Sequence, residues 1–353
     1  MNLLDMITGP WAILPAQLIE LQAIYATHVR GDKIDLDAIE ARLGRPLANE
    51  PPGIERRENG VAVLTIEGVL APKANMLTRI SGGASTQVLA RQVGELRRDT
   101  SVRAVVLAID SPGGSVLGTP ALAQAVRELA ADKPTVAVGE NCICSAAYWI
   151  GSAANAVYLQ GVTDRAGSIG VVATHDYDPE RGATQTEITA GRYKRIAGPN
   201  GPLSDEGKAY LQQQVDHIYS EFVDAIAANR GVPAGQVLER MADGRVFIGS
   251  QALQAGLVDG YSTVDAMADQ LARDPTPFKR RRQASAAGGS SNVPRSLAAP
   301  AAPREAAPRP TRALLPPSVA DMSRAEQAAA AQMLADHRRI SFVEACKALG
   351  INH

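Results

Sequence analysis

VRAVVLAIDSPGGSV, residues 102–116, decides the fold class. Its first nine residues are almost all apolar, the pattern of a strand buried on both faces, and such strands belong to parallel sheets covered by helices. The run stops at Asp110 and passes through Pro-Gly-Gly, which is turn chemistry. The same alternation recurs on both sides. Upstream, GVAVLTIEGVL (60–70) is β-rich, and STQVLARQVGELRRD (85–99) is an amphipathic helix capped at Ser85. Downstream come a helix at TPALAQAVRELAAD (119–132) and a strand at PTVAVGE (134–140). A helix at SAAYWIGSAANA (145–156) and a strand at AVYLQ (156–160) follow. Strands separated by helices predict an α/β domain with a mostly parallel sheet, its chemistry beyond the carboxyl ends of the strands.

Further out the pattern changes. GSIGVVATHDY (167–177) and QTEITAG (185–191) are β-rich. A long helix is predicted from Ser204 to Arg230, with Leu211, Val215, Ile218, Phe222 and Ile226 on one face and Gly231 as its stop. GRVFIGSQALQAGLVDG (244–260) and STVDAMADQLA (262–272) close the globular part. Before it, PAQLIELQAIYATHV (15–29) and DLDAIEARLG (35–44) read as helices. The expected division is a helical lead-in over 1–54, a domain over 55–272, a flexible linker over 273–317 and a short helical tail over 318–353.

Composition narrows the function classes. The 353 residues carry a net charge of −1, too balanced for a whole-protein argument about nucleic acid or membrane. Residues 273–317 are the exception, with nine Lys/Arg against two Asp/Glu and nine of the 22 prolines. That composition builds no core and is expected to be disordered. No apolar run is long enough for a transmembrane helix, and the first residues lack the basic start of a signal peptide. Three cysteines make no disulfide framework in a chain of this length, so a reducing, cytoplasmic compartment is expected. Cys142 and Cys144 have no second pair at zinc-ligand spacing; no metal or cofactor is expected, and the two read as small buried residues.

Two stretches could carry chemistry. Gly113 and Gly114, just past a strand end, can turn backbone N–H groups toward a ligand as an oxyanion hole does, or can form a plain turn. Ser145, in NCICSAAYWIG, sits where a loop enters a helix, the place of a nucleophile and equally of a capping serine. A nucleophilic serine needs a base. Of the five histidines only His175, flanked by Asp176 and Asp178, is a candidate triad partner, and adjacent residues do not orient one another as a triad. Lys194, between Arg192 and Arg195, is the other choice. Lysine reaches neutrality when buried near positive charge; a shift from 10.4 to 7–8 costs about 4 kcal/mol. A solvated lysine in a basic loop is the alternative.

The ordered set DSPGG, CSAAYWIGSAA, AGSIGV, GRYKRIAGPNGPLSDEGKAYLQQQVDHIYSEFV and GRVFIGSQALQAGLVDG resembles the signal peptide peptidase A family, including its phage capsid assembly proteases. The resemblance spans about residues 55–270, while ITGPWAI and ARLGRPLANEP resemble the phage-type members. It implies a single copy of the Clp-protease/crotonase-like fold and a Ser–Lys dyad peptidase without a cofactor. Ser145 falls on the family's serine and Lys194 on its lysine. Gly113 and Gly114 fall on the oxyanion glycines, with the Ala146 amide assisting, and Ser168 falls on a serine that orients the lysine. The resemblance also implies peptide substrates and a homo-oligomeric ring; long bacterial members duplicate the fold and carry a membrane anchor, whereas one copy and no anchor are expected here. The expected task is processing of scaffold or head proteins, in the cytoplasm or inside a prohead, with the C-terminal tail reaching capsid or scaffold partners. A bacterial signal-peptide or membrane-fragment peptidase is the alternative, and a capsid-associated interaction protein is a reading of another class.

Overall fold

The computed structural model describes residues 9–29, 53–73, 83–175, 177, 186, 188–198 and 200–278. The expected helix at 35–44, almost all of the linker and the whole tail lie outside the described residues. Twelve strands and eight helices follow one another among the described residues.

The apolar runs form the main sheet. Strands β3 (Val61–Glu67), β6 (Ala104–Ser111) and β8 (Thr135–Cys144) lie side by side and parallel. Strand β2 (Ile54–Arg56) extends this sheet antiparallel to β3. Strand β8 has two consecutive neighbours on its far side. Val136–Gly139 pair with β9 (Ala156–Leu159), and Cys142–Cys144 pair with β10 (Arg165–Gly167), both parallel. Between the two pairings Asn141 takes φ 63°, and its amide donates to Asp110 at 2.9 Å. Strand β11 (Val246–Ile248) finishes that edge antiparallel to β10, and β12 (Gly260–Tyr261) pairs with β9.

A second, small sheet has the order β1 (Trp11–Ile13), β7 (Gly113–Ser115), β4 (Leu70–Ala71), β5 (Ala84–Ser85). Strands β4 and β7 come from the stretches that leave β3 and β6, so the Gly-Gly of the turn becomes an inner strand of this sheet, between β1 and β4. Helix α1 (Pro15–Val29) follows β1, as the periodicity predicts. Trp11, Ile13, Leu18 and Leu21 bury themselves against Val69 and Ala71. The lead-in thus contributes a strand to the small sheet.

The covering helices are those the sequence predicts. Helix α2 (Thr86–Arg98) starts at Ser85, whose Oγ accepts from Val88 N–H, and buries Leu89, Val93 and Leu96. Helix α3 (Thr119–Asp132) buries Leu122, Val126 and Leu129. Helix α4 (Ala146–Gly151) is wholly buried but covers only six residues of the helix expected over 145–156; residues 152–155 turn instead into β9. A Cβ on Gly151 would stand 2.6 Å from Ile143 Cδ1, so only glycine lets α4 sit this low on the sheet. Helix α5 (Asp205–Arg230) runs from the Ser204 cap to Gly231 at φ 67°. Of its predicted apolar face, Phe222 and Ile226 are buried, whereas Leu211, Val215 and Ile218 stay half-covered. Phe222 stacks on Trp149 at 4.4 Å, fastening α5 to α4. Helices α6 (Ala234–Arg240), α7 (Ser250–Ala255) and α8 (Val264–Arg273) complete the described chain. Packing continues to Phe278, which is buried and meets Tyr158 edge-on at 6.5 Å.

Two expectations change. The strand expected to end at Glu140 continues through Cys144, because its second half finds a partner in β10. Among the described residues, the β-rich reading of 167–177 reduces to the end of β10 and one bridge at Val172: two consecutive residues, Gly167 and Ser168, take positive φ, and the chain turns out of the sheet there. Among the described residues of 185–191 none is in a strand.

Candidate active site

Strand β8 delivers Ser145 to the site. The strand ends at Cys144, helix α4 begins at Ala146, and Ser145 joins them at φ 55° and ψ −122°. This conformation is rare outside glycine and costs of order 1–3 kcal/mol, so the packing around it must hold it. That packing is visible. Ser145 N–H donates to Gly167 O at 2.7 Å, and its carbonyl accepts from Trp149 N–H at 3.0 Å. Below it, Tyr148 Oη donates to Leu257 O at 2.6 Å within the core. Ser145 is 1% exposed, and its Oγ has no hydrogen-bond partner. A buried hydroxyl left unpaired forgoes about 1–3 kcal/mol of solvation, a cost that a capping serine does not incur. Ser145 is therefore not acting as a cap.

Gly113 faces it. At φ 102°, a Cβ there would collide with the Ala12 carbonyl oxygen and would stand 2.9 Å from Ser145 Cβ and 3.1 Å from Ala146 N. The absence of a side chain is what lets the turn approach the serine. Gly113 N–H donates to Ser111 Oγ at 3.2 Å, and Ser111 Oγ donates in turn to Gly68 O at 2.6 Å. Gly114 stands opposite Ala12 on one side and Leu70 on the other. As the first helical residue, Ala146 has an N–H outside the α4 ladder, adjacent to the same point. Ser168, also at positive φ, is buried and donates its N–H to Arg245 O at 2.6 Å. It follows Gly167, the residue that holds Ser145 N–H.

Ser145, Gly113 and the Gly167–Ser168 turn thus come together, with Gly114 one residue on. Lys194 lies exposed in the turn Gly191–Ala197, its N–H donating to Gly191 O at 3.1 Å, and makes no hydrogen bond to Ser145 Oγ. His175 hydrogen-bonds the Gly198 carbonyl at 3.1 Å and does not reach Ser145 Oγ either.

The neighbourhood is electrostatically mixed. Burial pushes the Asp110 carboxyl up, partly offset by Asn141, and burial raises Glu140 as well. Cys142 and Cys144 are buried thiols that hydrogen-bond one another; this lowers Cys142 and, with burial, raises Cys144. They pack against Leu14 as small core residues. Among the described residues there is no group of three or more His, Cys, Asp or Glu that could hold a metal ion. Nor is any helix among them long and apolar enough to cross a membrane.

Reasoning from sequence did not find Trp11 and Ala12 beside the serine, nor Ser111 beneath Gly113. The signal for the first was present: WAIL lies between Pro10 and Pro15, a short apolar run bounded by breakers, which is strand punctuation.

A buried serine held at positive φ between a parallel strand and a helix, with a glycine turn pressed against it, defines an α/β domain with a candidate serine-hydrolase site. Known proteins are similar to this chain. Residues 127–275 match the model of peptidase family S49. The protein MJ0651 of Methanocaldococcus jannaschii is 36% identical over 190 residues, 52% of this chain and 60% of that protein. The chloroplastic serine protease SPPA of Arabidopsis thaliana is 28% identical over 231 residues, 63% of this chain and 34% of its own. Capsid assembly protease C of Escherichia phage lambda is 31% identical over 205 residues, 57% of this chain and 46% of its own. The aligned part thus spans between a third and three fifths of these relatives.

Proposed function

We propose that the chain is a serine endopeptidase of the Ser–Lys type. The observation that carries this is Ser145 itself, buried, unpaired and held at positive φ against Gly113. In this reading Ser145 Oγ attacks the scissile carbonyl while Lys194, as the neutral amine, takes its proton and passes it to the leaving amine. N–H groups from the Gly113–Gly114 turn and Ala146 hold the oxyanion, each worth about 3 kcal/mol. Water then resolves the acyl-enzyme with Lys194 again as base, and Ser168 orients the lysine.

Lys194 is exposed and makes no hydrogen bond to Ser145 Oγ; in this reading the dyad closes when a Gly191–Ala197 turn is brought over the serine in a homo-oligomeric ring. Burial in that contact is what lowers the lysine toward neutrality. The proposed task is processing of head or scaffold proteins during capsid assembly; the similarity to capsid assembly protease C supports it, as do the phage-type GPWAI and GRPLANEP stretches. The similarity to SPPA supports a second reading, cleavage of signal peptides or membrane-protein fragments.

Hydrolysis of an unstructured protein such as casein tests the mechanism. Ser145→Ala and Lys194→Met are expected to abolish cleavage while keeping the fold, and His175→Ala to leave it. Full activity in Lys194→Met together with loss in His175→Ala would refute the dyad.

A further inference from the structure

Strand β1 lies against the nucleophile from both sides of its backbone. On one side Trp11, Ala12 and Ile13 stand opposite Ser115, Gly114 and Gly113, antiparallel. This run is bracketed by Val116 N–H donating to Pro10 O at 3.2 Å and Leu14 N–H donating to Pro112 O at 3.0 Å. By the alternation of an antiparallel ladder, Ala12 and Gly114 form the hydrogen-bonded pair between them. The N–H of a candidate oxyanion glycine therefore faces the Ala12 carbonyl. On the other side, Trp11 exchanges both backbone hydrogen bonds with Val172, at 2.8 and 2.9 Å. Strand β1 fills a slot between Gly113–Ser115 and Val172.

At the inner end of the slot the Ala12 carbonyl oxygen, Ser145 Cβ and the Ala146 nitrogen all crowd the place where a Gly113 Cβ would be. An extended chain added to a strand edge, with one carbonyl brought up to a nucleophile and to free N–H groups, is how a peptide would lie for cleavage. Ala12 is wholly buried beside Ala146, so the slot takes a small residue there. Trp11, also wholly buried, anchors the strand among Leu18, Leu21, Val69 and Ala71. With β1 in place Ser145 is 1% exposed.

Resting on the peptidase reading, we infer that residues Pro10–Leu14 hold the substrate strand's place in cis, with Ala12 standing for the residue before the scissile bond. Only one strand can use the Gly114 and Val172 backbone groups at a time. A peptide therefore enters only as β1 leaves, and β1 competes with substrate in proportion to how firmly Trp11 and Ile13 anchor it.

The rate of Ser145 modification by a fluorophosphonate, followed by intact mass at high protein concentration, tests this on the full chain. Trp11→Ala and Ile13→Ala remove anchoring side chains but none of the backbone groups a substrate would use. Both are expected to label faster than wild type, Trp11→Ala by about tenfold or more, because truncating a buried aromatic side chain weakens the strand's hold on the slot. Acetyl-Gly-Pro-Trp-Ala amide added in trans is expected to slow labelling of Trp11→Ala again by refilling the slot. A thermal melt reports which variants fold; if Trp11→Ala does not, Ile13→Ala decides. Folded variants labelled at the wild-type rate or slower overturn the inference and leave Ser145 as nucleophile. Absence of labelling at Ser145 in every protein overturns the peptidase reading, and the inference with it.

Discussion

At the scale of single residues, the site depends on two backbone conformations that side-chain chemistry does not announce. Ser145 holds φ 55° because its N–H is tied to Gly167 O and its carbonyl to the first turn of α4. Gly113 holds φ 102° where a side chain would strike Ala12 and Ser145. Gly113→Ala is therefore expected to lose activity and to lower the melting temperature, since left-handed backbone costs a residue with a Cβ about 1–2 kcal/mol before the collision is counted. Activity and melting curves of that variant check both parts. From sequence, Ser145 and the glycine pair were legible as candidates because strand ends and helix starts are readable. The strain was not, because positive φ at a serine is imposed by packing from distant segments. Lys194 was legible as a candidate from the flanking Arg192 and Arg195, but these do not separate it from a solvated lysine, and in this structure it is exposed.

Titration belongs to this scale as well. Burial raises the Asp110 carboxyl, so its protonated form is favoured in the fold relative to the unfolded chain. Its contribution to stability is full below the ordinary carboxylate range and is lost as pH rises through the raised value. Asp110→Asn removes that dependence, and an amide can still pair with Asn141. Melting temperatures across acid to neutral pH are expected to fall less steeply in Asp110→Asn, with the variant gaining relative to wild type toward neutral pH. Parallel curves for the two proteins would contradict this.

At the scale of elements, α4 matters most, because it carries Ser145 and is six residues long. A helix this short has little stability of its own. It is held by Gly151 on the sheet, Tyr148 at Leu257 O and Trp149 stacked on Phe222. Trp149→Ala is expected to cost about 3–5 kcal/mol, visible in denaturant melts. The far end of α5 is locked by Arg230, which pairs with both carboxylate oxygens of Asp259 at 2.9 and 3.0 Å and donates to Gly256 O. Arg230 is nearly buried, so Asp259→Ala leaves a cation without its partner and is expected to cost about 3–5 kcal/mol. The elements themselves were largely readable: α2 begins at its Ser85 cap, and α5 runs from its Ser204 cap to Gly231. Strand β1 showed only as an apolar run between Pro10 and Pro15, because three residues give no period and their pairing with residues about a hundred positions away leaves no local trace.

At the scale of the whole molecule, the exposure of Lys194, with no hydrogen bond to Ser145 Oγ, makes assembly the controlling step of the proposed mechanism. Specific activity is expected to rise with protein concentration and to follow the assembled fraction on a sizing column; activity independent of assembly would contradict a dyad completed between copies. Deleting residues 279–353, which keeps the buried Phe278, tests the task of the tail. Peptide cleavage retained with particle maturation lost marks that segment as a targeting device, whereas loss of both places it in the enzyme's own assembly. Composition singled out this segment, nine Lys/Arg against two Asp/Glu in the linker, but charge alone names no partner. Genes for portal and major head proteins beside this one would favour the capsid reading over the signal-peptide one.

The central claim is that Ser145 is a nucleophile activated by Lys194. Intact mass after treatment of the assembled protein with a fluorophosphonate tests it most directly. One adduct on the wild type, absent from both Ser145→Ala and Lys194→Met, is the predicted result. An adduct that persists in Ser145→Ala would place the reactive group elsewhere and contradict the account.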